Sequence, residues 1–105
     1  MQGSVSVIGR KSGKTISNLV WFVVEGDTLC LLPVRGSDTQ WYKNVLQNPQ
    51  IWIDARGEEA ELRSRPITES KKVKSVIEKF REKYGEADVK KYYSKFDVVV
   101  VVELS

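Results

Sequence analysis

The strongest constraint on the fold is a long β-hairpin signal near the start of the chain. Ile16 to Val24 is apolar and rich in β-branched side chains, which predicts a strand buried on both faces. Glu25-Gly26-Asp27 follows as a tight turn, because glycine supplies the positive φ that hairpin turns need. Thr28 to Val34 then returns as the second strand, with Pro33 at its end because proline lacks an amide hydrogen. This hairpin predicts a fold that is mainly β.

Four further segments have the composition or alternation of strands. They are Ser4 to Ile8, Gln50 to Ala55, Glu59 to Pro66, and Asp97 to Leu104. Arg56-Gly57 is the predicted turn between the middle two, and the valines of the last segment indicate a buried, central strand. The chain therefore contains six predicted strands.

Two helices are predicted between these strands. Thr39 to Gln47 forms a short helix, with Ser37 or Asp38 as its N-cap. Thr68 opens a long amphipathic helix that ends at Gly85, and Ala87 to Lys95 adds a short further turn. A chain of 105 residues is predicted to form a single domain over residues 1–105. This domain contains six short strands, one short helix and one long helix. Its expected architecture is an antiparallel barrel with helices covering its ends.

The composition narrows the possible chemistry. The chain has no histidine, which removes the commonest general base and the usual zinc ligand, so no metal site is predicted. Its single cysteine, Cys30, excludes an internal disulfide and sits among leucines as a small core residue. No apolar run approaches the ~20 residues of a membrane span, and no secretory signal is visible. A cytoplasmic protein that does not enter membranes is expected.

Two basic, glycine-containing loops are the candidate sites. The first holds three cations, a hydroxyl and two glycines: Gly9, Arg10, Lys11, Ser12, Gly13 and Lys14. Such a loop suits a phosphate, although a solvated hairpin turn has the same composition. The second, Arg35-Gly36-Ser37-Asp38, leads into a helix N-terminus, where free amides favour anions. Because antiparallel strands reverse direction, the two loops are expected to be neighbours.

Aromatic side chains have two interpretations each. Trp21, Trp41 and Tyr42 are typical of core or interface packing, and Trp41 also lies close enough to the second loop to stack near a ring. Tyr84, Tyr92 and Tyr93 either pack on a helix or line the mouth of a pocket.

These loops and the elements between them resemble the deazaflavin-dependent nitroreductase family of flavin-binding split barrels. The resemblance is carried by the first loop, Leu19 to Asp27, Arg35 to Asp38, Trp41-Tyr42-Lys43-Asn44, Asn48-Pro49 and, more loosely, Arg65-Pro66, Lys83-Tyr84-Gly85 and Asp97 to Val100. It implies a six-stranded split barrel that forms a homodimer and holds a deazaflavin, or FMN as in relatives of the fold.

The resemblance also implies roles for particular residues. By position, the cofactor phosphate is expected at Arg10, Lys11, Ser12, Gly13 and Lys14. Arg35 adds a second cation beside Gly36 and Ser37. The ring is expected along Ser17, Asn18 and Leu19, with Trp41 near its edge. Two positions depart from the family pattern, which often has arginine at Ile16 and proline at Leu19.

Three functions follow in order of preference. The first is an oxidoreductase that transfers hydride to or from a small organic substrate through the cofactor, with no catalytic side chain identified. The second, motivated by Ile16 and Leu19, is a non-catalytic module that binds a flavin or a tetrapyrrole. The third is a small nucleic-acid-binding barrel, suggested by the basic excess from Lys71 to Lys95. It ranks lowest because glutamates alternate with those lysines, so nucleic acid is not expected as a partner.

Overall fold

Six antiparallel strands close into one barrel in the computed structural model, which describes residues 2–55 and 58–104. In chain order the strands are β1 (Gln2–Ile8), β2 (Thr15–Glu25), β3 (Thr28–Leu31), β4 (Gln50–Ala55), β5 (Glu58–Ile67) and β6 (Val99–Glu103). Around the barrel their order is β1-β2-β3-β6-β5-β4. The predicted barrel and its six strands are confirmed, and the predicted turn at Arg56-Gly57 lies outside the described residues.

Within the described residues, three α-helices accompany the barrel, one more than predicted: α1 (Gln40–Gln47), α2 (Ser70–Tyr84) and α3 (Glu86–Tyr92). Gly85, with φ of 93°, ends α2 and starts α3, so the predicted further turn is a helix in its own right. The predicted cap of α1 is wrong. Gly36–Asp38 forms a 3-10 turn of its own, and Thr39 becomes the N-cap without a side-chain capping bond.

The apolar residues form two cores on opposite sides of the sheet. The barrel interior contains Val5, Val7, Phe22, Leu29, Leu31, Trp41, Tyr42, Val45, Ile51, Ile53, Val98, Val100 and Val102. The outer core contains Val23, Cys30, Leu32, Val73, Val76, Ile77, Phe80, Val89, Tyr93, Val99 and Val101. Thus α1 contributes apolar side chains to the barrel interior, whereas α2 and α3 pack on the outer face of the sheet. The expectation that the helices cover the barrel ends is wrong for α2 and α3.

The two strands richest in valine and leucine are buried to different extents. Residues Val99 to Val102 of β6 are each at most 2% exposed, which confirms a buried central strand. In β2, by contrast, Ile16, Leu19 and Val24 are 42%, 78% and 47% exposed. Residues 15–21 of β2 pair with β1, and only residues 22–25 pair with β3 next to the outer core. The first half of β2 therefore keeps an uncovered apolar surface, and the prediction that it is buried on both faces is wrong.

Candidate functional site

The first basic loop joins β1 to β2 and is closed by its own hydrogen bonds. The Gly9 N–H donates to the Lys14 carbonyl at 2.8 Å, and the Gly13 N–H donates to the Gly9 carbonyl at 2.8 Å. The Lys14 N–H donates to the Ser12 hydroxyl at 3.2 Å. Gly13 has a φ of 71°, and a Cβ at Gly9 would lie 2.9 Å from Ser12 Oγ. The glycines are thus needed for a tight and defined loop.

The cations of this loop have no carboxylate partner within residues 2–55 and 58–104. Arg10 instead bonds neutral amides of α1: its Nη1 donates to Asn44 Oδ1 at 2.7 Å and its Nη2 to Gln40 Oε1 at 2.9 Å. Lys11 and Lys14 are exposed. A groove of about 310 Å³ lies between the loop, Ile16 and these two amides. It carries positive charge that an anion can neutralise.

The second basic loop is tied to the segment after α3. The Asp97 carboxylate accepts hydrogen bonds from the Ser37 N–H at 2.9 Å and the Ser37 hydroxyl at 2.5 Å. Lys95 Nζ lies 3.2 Å from Asp38 and 3.7 Å from Asp97. Burial acts to raise the pKa of Asp97, but the bonds from Ser37 and the charge of Lys95 outweigh it and hold this pKa below its usual range. Ser37 therefore bonds a carboxylate of the protein itself.

The two loops are connected through α1. The second loop leads into this helix, and its Gln40 and Asn44 hold Arg10 of the first loop. Arg35 is exposed, and its backbone N–H donates to Thr39 Oγ1 at 2.8 Å. Outside its own residues, the first loop bonds α1 through Arg10, whereas the second loop bonds Thr39, Lys95 and Asp97.

An apolar cavity of about 290 Å³ lies farther along β2. Its lining is mostly aliphatic and aromatic: Leu19, Val20, Trp21, Leu32, Val34, Trp41, Tyr92 and Tyr93. The Trp21 ring stacks on Tyr84 at 4.3 Å and meets the edge of Tyr92 at 5.4 Å. Trp41 is buried, and Tyr92 is 51% exposed at the mouth. Such walls suit the faces of a flat, conjugated ring.

The strand β2 also offers backbone groups to this cavity. Both the N–H and the carbonyl of Phe22 bond the Tyr84 hydroxyl, at 3.1 and 2.8 Å, and Lys83 Nζ donates to the same carbonyl at 2.7 Å. The N–H and carbonyl of Phe22 therefore point away from β3. Because successive residues of a strand point their N–H and carbonyl groups to opposite edges, those of Trp21 and Leu19 point toward the β3 side. At those positions β2 has no partner strand on that side among the described residues.

Tyr93 is the buried one of the two tyrosines in the cavity wall. The residue is 5% exposed, and desolvation by burial raises the pKa of its phenol well above the usual range. Its hydroxyl makes no hydrogen bond with any residue in the described part of the chain. A neutral phenol in this position can donate a hydrogen bond to a bound molecule.

The structure brings some predicted site residues together and separates others. Leu19 and Trp41 share the cavity, and Arg10, Lys11 and Ser12 share the groove. Asn18 is half-buried in β2, and the Ser17 hydroxyl bonds Ser6 across the strands at 2.7 Å.

Gly36 and Ser37 face Asp97, and a Cβ at Gly36 would lie 2.0 Å from its Oδ1. Sequence reasoning missed Asn44, Gln40 and Asp97. The i,i+4 spacing of Gln40 and Asn44 was the available signal, since it places both amides on one helix face.

No helix in residues 2–55 and 58–104 has the length and apolar character needed to cross a membrane.

Comparison with family models gives the family of this chain, and comparison with solved structures gives its fold. Residues 4–105 match the sequence model of the family described as F420H(2)-dependent quinone reductase. A solved F420-H2 dependent reductase superposes with a TM-score of 0.74 at 20% identity, covering 97% of this chain and 93% of that one. The heme storage protein HutZ from Vibrio cholerae gives 0.74 at 14% identity, covering 99% and 81%. A structure described as a domain-swapped dimer gives 0.74 at 20% identity, covering 97% and 79%. No curated protein matches the sequence.

Proposed function

Since this chain belongs to the F420H(2)-dependent quinone reductase family, it is a deazaflavin-dependent oxidoreductase, and we propose that it passes hydride from reduced F420 to a small quinone-type acceptor. The observation that carries the proposal is the arrangement along β2. A basic groove lies at the start of the strand, and its cations have no carboxylate partner among the described residues. An aromatic cavity lies beside the middle of the strand, where β2 pairs with no described strand on the β3 side. The resemblance to nitroreductases drawn from the sequence agrees with this family, which specifies the deazaflavin rather than FMN.

The groove fits the phosphate of the cofactor. Arg10 and Lys11 line the groove, and Arg10 bonds only neutral amides in the described structure. Lys14 is exposed at the end of the same loop and adds a third positive charge near this volume. A phosphate carries oxygen acceptors that match ammonium and guanidinium donors. Arg35 is exposed in the loop before α1 and does not line this groove, and Ser37 of the same loop already bonds Asp97. The first loop is therefore the main phosphate ligand in this proposal.

The cavity fits the deazaflavin ring. At about 3.3 Å per residue, Ile16 in the groove and Leu19 at the cavity are separated by about 10 Å of strand, a span that a polyol linker can cover. The open edge at Leu19 and Trp21 offers N–H and carbonyl groups to the polar rim of the ring. Trp41 and Val20 supply apolar walls that exclude water. The bound cofactor supplies the hydride, and the chain supplies position and a dry environment.

The acceptor is expected to be a flat, apolar molecule with a carbonyl oxygen. The rest of the cavity wall is Leu32, Val34 and Tyr92, which favours an apolar body. In this proposal Tyr93 donates a hydrogen bond to the acceptor oxygen, where negative charge develops as hydride arrives. A phenol is already protonated at neutral pH, and the burial that raises the pKa of Tyr93 keeps it so.

A homodimer completes the proposal. Leu19 is 78% exposed at the edge of the cavity, which is unusual for a large apolar residue beside a binding site. A second copy of the chain would cover this side chain and close the cavity mouth. The domain-swapped dimer among the related folds supports the same assembly. Equilibrium sedimentation of the chain and of Leu19→Lys tests it, since the variant is expected to be monomeric.

The alternative functions have weaker support. The haem storage protein shares the fold at 14% identity, so the fold alone does not select the cofactor. This chain lacks histidine, the commonest axial ligand of haem, which favours the deazaflavin. On α2, Lys79 pairs with Glu25 and Arg81 with Glu78, so part of the basic excess is neutralised by the protein's own carboxylates. This favours a solvated helix face over a nucleic-acid site.

The direct test is a titration of the protein with F420 and, as a matched control, with FMN, followed by single-turnover oxidation of reduced F420 with a soluble quinone. Saturable binding of F420, weaker binding of FMN and quinone-dependent oxidation are expected. Tighter binding of FMN than of F420, or bound F420H2 that no quinone oxidises, would overturn the proposal.

A further inference from the structure

We propose that Asn44 is a positioning residue that holds Arg10 in the phosphate groove while leaving its positive charge free for the cofactor. This inference rests on the proposed function, because it assumes that the groove takes the phosphate. It concerns a residue of α1 that lies outside the basic loop itself.

Asn44 fixes both the backbone and the side chain of Arg10. Its Oδ1 accepts hydrogen bonds from the Arg10 N–H at 3.2 Å and from Nη1 at 2.7 Å. Asn44 is only 4% exposed, and its carbonyl accepts the Asn48 N–H at 3.0 Å within the last turn of α1. A buried amide on a hydrogen-bonded helix has little freedom, so it restricts the Arg10 conformation before any ligand arrives.

The neutrality of the amide is the central feature. A carboxylate at the same position would bond Arg10 with similar geometry, but it would also neutralise the guanidinium that the phosphate needs. Gln40 repeats the arrangement, because its Oε1 accepts a bond from Arg10 Nη2 at 2.9 Å. Arg10 thus has two neutral acceptors, the buried Asn44 and the exposed Gln40, and no counter-charge among the described residues.

The same helix connects the groove to the ring cavity. Trp41 stands between Gln40 and Asn44 in the sequence and lines the cavity, whereas the two amides line the groove. The position of Arg10 relative to the cavity is therefore set by one rigid element. Pre-organisation of this kind raises affinity because less conformational freedom is lost on binding.

The experiment compares Asn44→Asp with the wild type in binding two ligands, F420 and the corresponding deazaflavin riboside without phosphate. Asn44→Asp is nearly isosteric and keeps an acceptor for Arg10. It is expected to weaken F420 binding by ~10-fold or more and riboside binding by less than ~3-fold, since only the phosphate meets the added charge. The F420 affinity of the variant should also depend less on salt than that of the wild type.

Gln40→Glu serves as the second variant because Gln40 is exposed, so the change is expected to leave folding intact. It is expected to lower the ratio of F420 affinity to riboside affinity, as Asn44→Asp does, by ~3-fold or more. Equal losses for both ligands would show a merely structural role for Asn44, and unchanged F420 affinity in both variants would also overturn the inference. Wild-type protein that binds neither ligand would instead contradict the proposed function.

Discussion

The carboxylate of Asp97 accepts both hydrogen bonds that Ser37 can donate, from the backbone N–H at 2.9 Å and from the hydroxyl at 2.5 Å. This pair joins the segment after α3 to the turn before α1. Gly36 makes the approach possible, since it has a φ of 54° and no side chain on the face that meets Asp97. The start of α1, and with it Trp41 and Asn44, is therefore held by a contact that has no counterpart in local sequence.

Gly36→Ala is expected to destabilise the protein by about 2–4 kcal/mol. The added Cβ would lie 2.0 Å from Asp97 Oδ1, so the Ser37–Asp97 bonds must break or shift, and the positive φ adds strain. Urea unfolding followed by tryptophan fluorescence measures the change in free energy of unfolding.

Gly13→Ala is the matched control for that prediction. Gly13 also has a positive φ, of 71°, but its Cβ would meet no atom within 4 Å. Backbone strain alone is expected to cost about 1 kcal/mol there. Equal losses for the two variants would show that the Asp97 contact contributes little beyond strain.

Asp97→Asn is expected to make stability less dependent on pH in the acid range. The pKa of Asp97 is lowered in the folded state, so its contribution is present above the unfolded pKa of about 4 and is lost as pH falls through the folded pKa. Because the side chain is 39% exposed, solvent screening limits that contribution to about 1 kcal/mol at pH 7. The unfolding free energies of wild type and variant should therefore differ at neutral pH and converge as the pH falls into the acid range. A difference that stays constant over this range would assign the effect to packing.

Lys11→Ala is expected to weaken F420 binding by about tenfold, equivalent to about 1.4 kcal/mol, with unchanged stability. Lys11 is exposed and forms no ion pair with the described residues, so its loss removes attraction for the phosphate without disturbing the fold. Lys74→Ala on the exposed face of α2 carries the same change in net charge and serves as control. If both variants bind equally well, Lys11 is not a phosphate ligand.

The sequence predicted the elements better than their contacts. Alternation and turn residues located all six strands, because each depends on neighbours along the chain. The Asp97–Ser37 pair spans 60 residues and the Asn44–Arg10 pair spans 34, so neither leaves a local signal. The exposure of Leu19 was missed for another reason. An apolar strand composition is the same whether the protein's own helices or a second molecule cover it.

Tyr93→Phe is expected to leave stability within about 0.5 kcal/mol and to lower the rate of quinone reduction by about 10- to 100-fold. The Tyr93 hydroxyl bonds no described residue, so its removal breaks no hydrogen bond among the described residues of the fold. The acceptor, by contrast, loses a hydrogen-bond donor at the oxygen where negative charge develops. Tyr84→Phe shows the opposite pattern. Its hydroxyl bonds the backbone of Phe22, and the variant should lose about 1–2 kcal/mol of stability. Single-turnover rates and urea unfolding on both variants separate the roles, and a Tyr93→Phe protein with full activity would remove this hydroxyl from the reaction.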